Sequence, residues 1–449
     1  MDFRTKPFEH QKECYDRIKD VPYFALFLEP GLGKTKVTLD VASYRKQRDS
    51  IYTTLVVCPN TITENWFQET NVHSYLSPVM LTGTRKQRLK NLAEDHDIYI
   101  INYEAVHKLQ KELTQKNFSL LVLDESHYVK NPQSDRSKAC FALSKDIPNK
   151  LILTGTPVMN NPLDLFGQYR VLNPMIFGTS FYKFRSYYAV MGGYGDHQVI
   201  KWINMEIFRR RVFTCAIRKT KEECLDLPEK LYQVIKVSMP DEQKKLYKEL
   251  KEGFIAEYKD SVIVATSILP RLLRFSQLTA GFTKDVEGAE HEFKDNPKLN
   301  WFTEFMSDLE TNHKVVVFTR FRREITMVEK VMAKLQMESV SVHGDTEHRI
   351  DKINAFNTDR NIRAFITNPE TGGIGINLTS ATYAVFLSNS YKYGDRIQAE
   401  DRIHRIGQDR NVTYIDLLME HSIDSAIHKA LVKKASLADM VVGDIISEL

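Results

Sequence analysis

Residues 28–35 read LEPGLGKT, a run able to hold a chain of phosphates. Gly31 and Gly33 allow the backbone to curl so that successive N–H groups, that of Leu32 included, converge on one anion. Lys34 can then reach the β/γ-phosphates of a nucleotide, and the Thr35 hydroxyl can hold Mg2+. Leu28 stands where this pattern usually opens with Gly, and a tight structural turn is the alternative reading of the same residues. Residues 120–127, LLVLDESH, supply the acids such a site needs. Asp124 would position Mg2+, and Glu125 would orient or deprotonate an attacking water, because phosphoryl transfer rests on positioning and charge neutralisation. The acid pair is expected on the strand neighbouring the one that precedes the glycine turn.

Those residues need strands to carry them. Apolar runs of strand length recur at 23–29, 53–59, 97–103, 120–125 and 150–156, separated by amphipathic stretches such as 84–94 and 104–116. That rhythm describes βαβ units and a parallel sheet. From about 160 to 222 the sequence turns aromatic and basic and reads as a helical insertion. A strand-like segment at 225–239 follows a boundary near 226, and 241–258 is helical. The α/β rhythm then returns at 314–320, 338–344, 363–368, 383–388 and 412–418. The fold class is therefore α/β with two parallel-sheet lobes: 1–226, with its insertion at about 160–222, and 227–449, with a helical insertion at about 241–285.

Composition fits two large globular lobes. Of 449 residues, 62 are Lys or Arg and 58 Asp or Glu, a net +4 that permits nucleic-acid binding without requiring it. The five cysteines include no C-x-x-C pair, and the 13 histidines form no H-E-x-x-H cluster, which argues against a disulfide framework and against any metal beyond Mg2+. No apolar run approaches the ~18 residues of a membrane span, so a cytoplasmic chain with no membrane partner is expected. Cys58 and Trp66 should pack beneath the first sheet.

In this order the motifs resemble those of superfamily-two helicases and, more closely, of the Swi/Snf family of DNA-dependent ATPases. The resemblance runs from Gln11 to Gln408 and includes VVCPNTITENWFQE (56–69), LTGTPVMNN (153–161), TNPETGGIGINLTSAT (367–382) and QAEDRIHRIGQ (398–408). It implies two RecA-like lobes with ATP and Mg2+ as cofactors. Gln11, two residues farther from Pro7 than in the family, corresponds to the adenine-reading glutamine. Gly373 and Gln398 belong to motifs of the ATP site, and Arg402 and Arg405 to the arginines that face the other lobe's P-loop. LTGTP, with Asn160 downstream, resembles the motif coupling nucleotide state to DNA, while Thr379 closes the glycine-rich element beside the DNA backbone. His127 and His404 would bridge motifs by hydrogen bonds. Ser388 and Tyr391 stand where the family usually has Asp and Trp, which bears on lobe coupling.

The basic run at 209–221, ahead of LPEK at 227–230, resembles the family's stretch before its LPxK element. Arg209, Arg210, Arg211, Arg218 and Lys219 could neutralise backbone phosphates there, or could form a solvated interlobe linker. The aromatics within 181–202 could stack bases or pack as core. The leading expectation is an ATP-driven motor that translocates on double-stranded DNA, forked or branched DNA included. A strand-separating helicase on DNA or RNA and a nucleotide-gated clamp are the alternatives. With no bromodomain-like, nuclease-like or zinc module in the sequence, a pared-down monomer in bacterial or viral replication, repair or recombination is expected.

Overall fold

The computed structural model describes residues 3–49, 52–192, 198–260, 265–285, 287–369 and 376–442, with side chains throughout except at 253–260, 265–269 and 436–442. The chain forms two compact units whose division in the sequence falls between Asp226 and Leu227.

The first unit carries strands β1 (Tyr23–Leu28), β2 (Thr54–Cys58), β3 (Pro78–Met80), β4 (Ile98–Asn102), β5 (Leu120–Asp124), β6 (Asn149–Leu153), β7 (Ala189–Gly192), β8 (Gln198–Trp202) and β9 (Ala216–Lys219). Seven of them form one sheet in the order β3-β4-β2-β5-β6-β1-β9, and every pairing is parallel. Helices cover both faces of such a sheet, which is why β2 and β5 are buried along their whole length and read as unbroken apolar runs. Cys58 and Trp66 are buried, and all five cysteines are free.

Two expectations need correction. The acid pair does not follow the strand next to β1, because β6 lies between β1 and β5. Nor is 160–222 a purely helical insertion. Helices Leu165–Leu172, Phe181–Tyr188 and Met205–Phe213 are joined there by the antiparallel hairpin β7–β8, and β9 then pairs in parallel with β1, from Ala25 opposite Ala216 to Leu28 opposite Lys219. The short apolar stretch Cys215–Ile217 follows a helix almost directly and is cut off by Arg218 and Lys219, so its strand character emerges only from pairing with a partner almost two hundred residues away.

In the second unit β10 (Lys230–Val237), β13 (Val315–Phe318), β14 (Glu338–Val342), β15 (Ile362–Thr367), β16 (Tyr383–Phe386) and β17 (Val412–Met419) form a second all-parallel sheet ordered β10-β17-β16-β13-β15-β14. The segment expected as its helical insertion, 241–285, forms helices Asp241–Asp260 and Ala265–Thr279 and then strand β11 (Phe282–Lys284), which pairs antiparallel with β12 (Glu290–Glu292) beyond it. Phe302, Met306, Val317, Val328, Ile366 and Leu417 lie in its core. Among the described residues, no helix is long and apolar enough to cross a membrane.

One buried cation fixes the helix that follows the glycine turn. Arg45, on helix Lys34–Asp49, donates to the carbonyls of Lys19 (2.9 Å), Ile18 (3.1 Å) and Val21 (2.6 Å) and to the Tyr52 hydroxyl (2.9 Å). These bonds tie it to the end of helix Glu9–Ile18, which carries Gln11. Arg45→Met should strand three carbonyls and cost about 3 kcal/mol. The check is a lower urea midpoint with an unchanged denaturant slope.

Candidate nucleotide-binding site

β1 ends at Leu28, and helix Lys34–Asp49 begins five residues after Glu29, so the chain must reverse within a few peptides. Gly31 (φ 91°) and Gly33 (φ 81°) take the left-handed conformations that make this possible. A Cβ on Gly33 would come within 2.2 Å of Gln11 Nε2. Lys34 Nζ donates to the Leu28 carbonyl at 2.9 Å, which holds the ammonium over the turn. The buried Leu32 turns its carbonyl toward Gln11 Nε2 (3.2 Å) and His10 Nε2 (3.0 Å). Gln11 is thus seated against the turn, and its Oε1 accepts the Phe8 N–H at 3.0 Å. Thr35 is half-buried in the first turn of the helix.

The acids stand at the end of β5. Asp124 is buried and receives one donor on each oxygen: Glu125 N–H on Oδ1 at 2.9 Å and the Trp66 indole Nε1–H on Oδ2 at 2.8 Å. Tyr103 donates to its carbonyl at 2.8 Å. Glu125 adopts the left-handed conformation (φ 50°, ψ 52°), an uncommon one for a side-chain-bearing residue, where the chain leaves the strand for a short turn. Thr154, just beyond β6, donates to Glu125 Oε2 at 3.2 Å and accepts the Thr156 N–H at 3.1 Å. His127 Nδ1 lies 3.3 Å from both Thr154 Oγ1 and Glu125 Oε2. A second bridge joins the same motifs: Ser126 donates to Gln168, and Gln168 donates to the Pro157 carbonyl at 2.8 Å. Sequence reasoning missed Trp66, Thr154 and Gln168 as partners of the acids. Thr154 could have been read from LTGTP; Gln168 carries no local signal.

Electrostatics divides the two acids. Burial, and after it the Glu125 charge, pushes the Asp124 carboxyl above the usual range, against the pull of Lys34 and the Trp66 donor. Burial acts on Glu125 in the same sense but is outweighed by the bond to His127, the His127 and Lys34 charges and the Thr154 hydroxyl, so Glu125 sits low. The donor set suits Mg2+: hard oxygens of Asp124 and Thr35 beside an open phosphate cradle. Among the described residues no group of three or more His, Cys, Asp or Glu could hold a metal ion.

In the second unit Arg402 is buried, 5% exposed, and donates through Nη2 to the Pro369 carbonyl at 2.7 Å. Its Nη1 is buried with no partner among the described residues, and burial lowers the guanidinium to about 10, so it stays charged at neutral pH. Arg405 and Gln398 are half-buried, and Gln398 lies on helix Tyr393–Asp401. Gln408 Nε2 donates to the carbonyls of Thr379 (3.0 Å) and Ala381 (2.9 Å), which binds the closing motif to the segment after the glycine-rich element. His404 Nε2 meets the Pro228 carbonyl at 2.7 Å, so it links HRIGQ to LPEK. Gly373 lies outside the described residues.

The basic residues expected at DNA belong to two elements and not to one linker. Arg209, Arg210 and Arg211 are on helix Met205–Phe213, while Arg218 and Lys219 are on β9. Arg210 pairs with Glu206 at 2.9 Å and Lys219 with Glu13 at 2.7 Å. Arg211 donates to the Tyr188 hydroxyl at 3.3 Å and lies over the Tyr187 ring. Of the neighbouring aromatics, Phe184 and Tyr188 are core and pack on Phe177 and Phe208, whereas Tyr182 and Tyr187 are exposed.

Residues 24–280 match the family model described as SNF2-related domain, and residues 297–407 match the Helicase conserved C-terminal domain. The chain is 27% identical to TATA-binding protein-associated factor BTAF1 of Arabidopsis thaliana over 92% of its own length and 24% of that protein's. It is also 27% identical to a Caenorhabditis elegans homolog of SWI/SNF-related matrix-associated actin-dependent regulator of chromatin subfamily A-like protein 1, over 92% of this chain and 58% of the other. Against human DNA excision repair protein ERCC-6 the identity is 24%, over 92% and 30%. The chain thus spans about a quarter of the length of the first of these relatives. Among solved structures, the Sulfolobus solfataricus SWI2/SNF2 ATPase core in complex with dsDNA is similar at 25% identity and TM-score 0.48, covering 98% of this chain and 94% of that one.

Thr154 is the group that connects Glu125 to the strand between it and the glycine turn. Thr154→Val should leave nucleotide affinity within a small factor but lower turnover of a bound nucleoside triphosphate on the order of 10²-fold, by releasing Glu125 from its orientation. Paired binding and single-turnover measurements check this.

Proposed function

This chain belongs to the SNF2-related family, and from that premise we propose that it is an ATP-driven motor that translocates on double-stranded DNA and remodels DNA or protein–DNA complexes. The observation that carries the proposal is the assembly of Lys34, Asp124, Glu125, His127 and Thr154 at the ends of β1, β5 and β6 in a chain of this family. The backbone of 31–35 cradles the triphosphate, Lys34 leaves the Leu28 carbonyl for the β/γ-phosphates, and Thr35 and Asp124 hold the metal. Mg2+, when bound, neutralises charge on the phosphate oxygens. Glu125, kept ionised by His127 and Thr154, orients the water and accepts its proton. Gln11 reads the base from beside the turn. Arg402 and Arg405 act on the transition state from the second lobe, where a guanidinium meets phosphate oxygens as a rigid fork.

On DNA, Thr379 and the arginines of helix Met205–Phe213 contact phosphates, which favours tracking along a backbone over reading or parting bases. The burial of Phe184 and Tyr188 supports translocation over strand separation, since it removes two of the aromatics that could have served as a pin.

Lys34→Ala should abolish hydrolysis with the fold intact, and Glu125→Gln should bind ATP yet turn it over at least about 10²-fold more slowly. Duplex DNA should stimulate the wild-type ATPase. The protein should strip a triplex-forming strand from a duplex in an ATP-dependent, salt-sensitive manner without parting a blunt duplex. Efficient unwinding of a tailed duplex would establish the helicase reading instead, and stimulation without third-strand displacement would establish a clamp.

A further inference from the structure

We propose that Trp66 is a positioning residue for Asp124: its indole N–H fixes the orientation in which the carboxylate meets Mg2+. The proposal rests on the nucleotide-site reading given above. Trp66 lies on helix Thr63–His73, is 1% exposed, and places Nε1 2.8 Å from Asp124 Oδ2. A buried indole N–H must find an acceptor, and most of the acceptors around a parallel sheet are backbone carbonyls. This one ends on a side-chain oxygen of the residue assigned to the metal.

The chemistry of the donor explains the residue type. Indole donates and never accepts, and it does not titrate, so Oδ2 is held as an acceptor, as Oδ1 is by the Glu125 N–H. With one donor on each oxygen the carboxylate plane is held, and each oxygen retains a lone pair that it could offer to the ion. Tyr could accept as well as donate, and His could take a second proton. Phe would fill much of the same volume between helix and sheet but would leave Oδ2 short of a donor in a buried place. Outer partners of this kind are worth 10–100-fold in metal affinity.

The test uses the full chain and a fluorescent ATP analogue whose dissociation constant is measured in EDTA and in excess Mg2+. In Trp66→Phe the EDTA value should stay within about twofold of wild type, while the affinity gained on adding Mg2+ should shrink 10–100-fold. If Trp66 only packs, both values weaken together or the Mg2+ gain is unchanged, and either result overturns the proposal. If the Phe variant fails to fold, benzothienylalanine at position 66, which keeps the bicyclic shape without the N–H, should show the same loss; a full Mg2+ gain with it would overturn the proposal. A wild-type chain that binds the analogue with no gain from Mg2+ would overturn the metal assignment itself, a result distinct from a variant-specific loss.

Discussion

Two carboxylates stand side by side at the end of β5, and holding both as anions where burial disfavours charge is the constraint that the surrounding elements answer. Each neighbouring element contributes a donor. Helix Thr63–His73 sends in an indole, the end of β6 a hydroxyl, and the turn after β5 an imidazole and a backbone N–H, while Lys34, bonded to the Leu28 carbonyl, acts on both acids through its charge alone. The donors are distributed unequally. Glu125 receives most of the compensation and sits low, while burial and the Glu125 charge hold Asp124 high against the pull of Lys34 and of its two donors.

The second unit meets a comparable demand with the opposite charge. Arg402 is sunk among the closing motif, with one nitrogen on the Pro369 carbonyl and another buried without a partner among the described residues. A buried guanidinium with an unused donor is costly unless something anionic meets it. Around it the closing motif is fastened at several points, by Gln408 to Thr379 and Ala381, by the Leu378 N–H to the Arg402 carbonyl at 2.9 Å, and by His404 to Pro228. Rigidity of this kind keeps the arginine fork from relaxing onto other acceptors.

The family departures are absorbed locally. Ser388, in the position usually held by Asp, donates to Glu324 at 2.7 Å and accepts the Arg320 N–H at 2.8 Å. Glu324 is buried at the start of helix Arg322–Lys334, so a carboxylate is still present at this spot but arrives from a different strand–helix junction. Tyr391, where Trp is usual, packs against the cluster of Phe275, Ile423, Ile427 and Leu431.

Local pattern was enough to find the long buried strands, the glycine turn, the acid pair and the two-lobe α/β class, but not β3, β9 or the two hairpins, because only sustained strand burial and left-handed glycines leave their mark within a few residues of sequence. The closing motif at 398–408 was found through its resemblance to the family's motif and not through local pattern. Strand order left no such mark: β6 between β1 and β5, and β9 on the far side of β1, are choices among parallel pairings that the alternation of strands and helices does not distinguish. From that order came the contacts that spacing could not supply. Trp66 reached Asp124 across 58 positions and Thr154 reached Glu125 across 29, while Arg218 and Lys219 left an expected linker for a sheet edge. A hydrogen bond between side chains so far apart in sequence depends on how the sheet and its helices pack, and that was decided only when the chain closed into its tertiary structure.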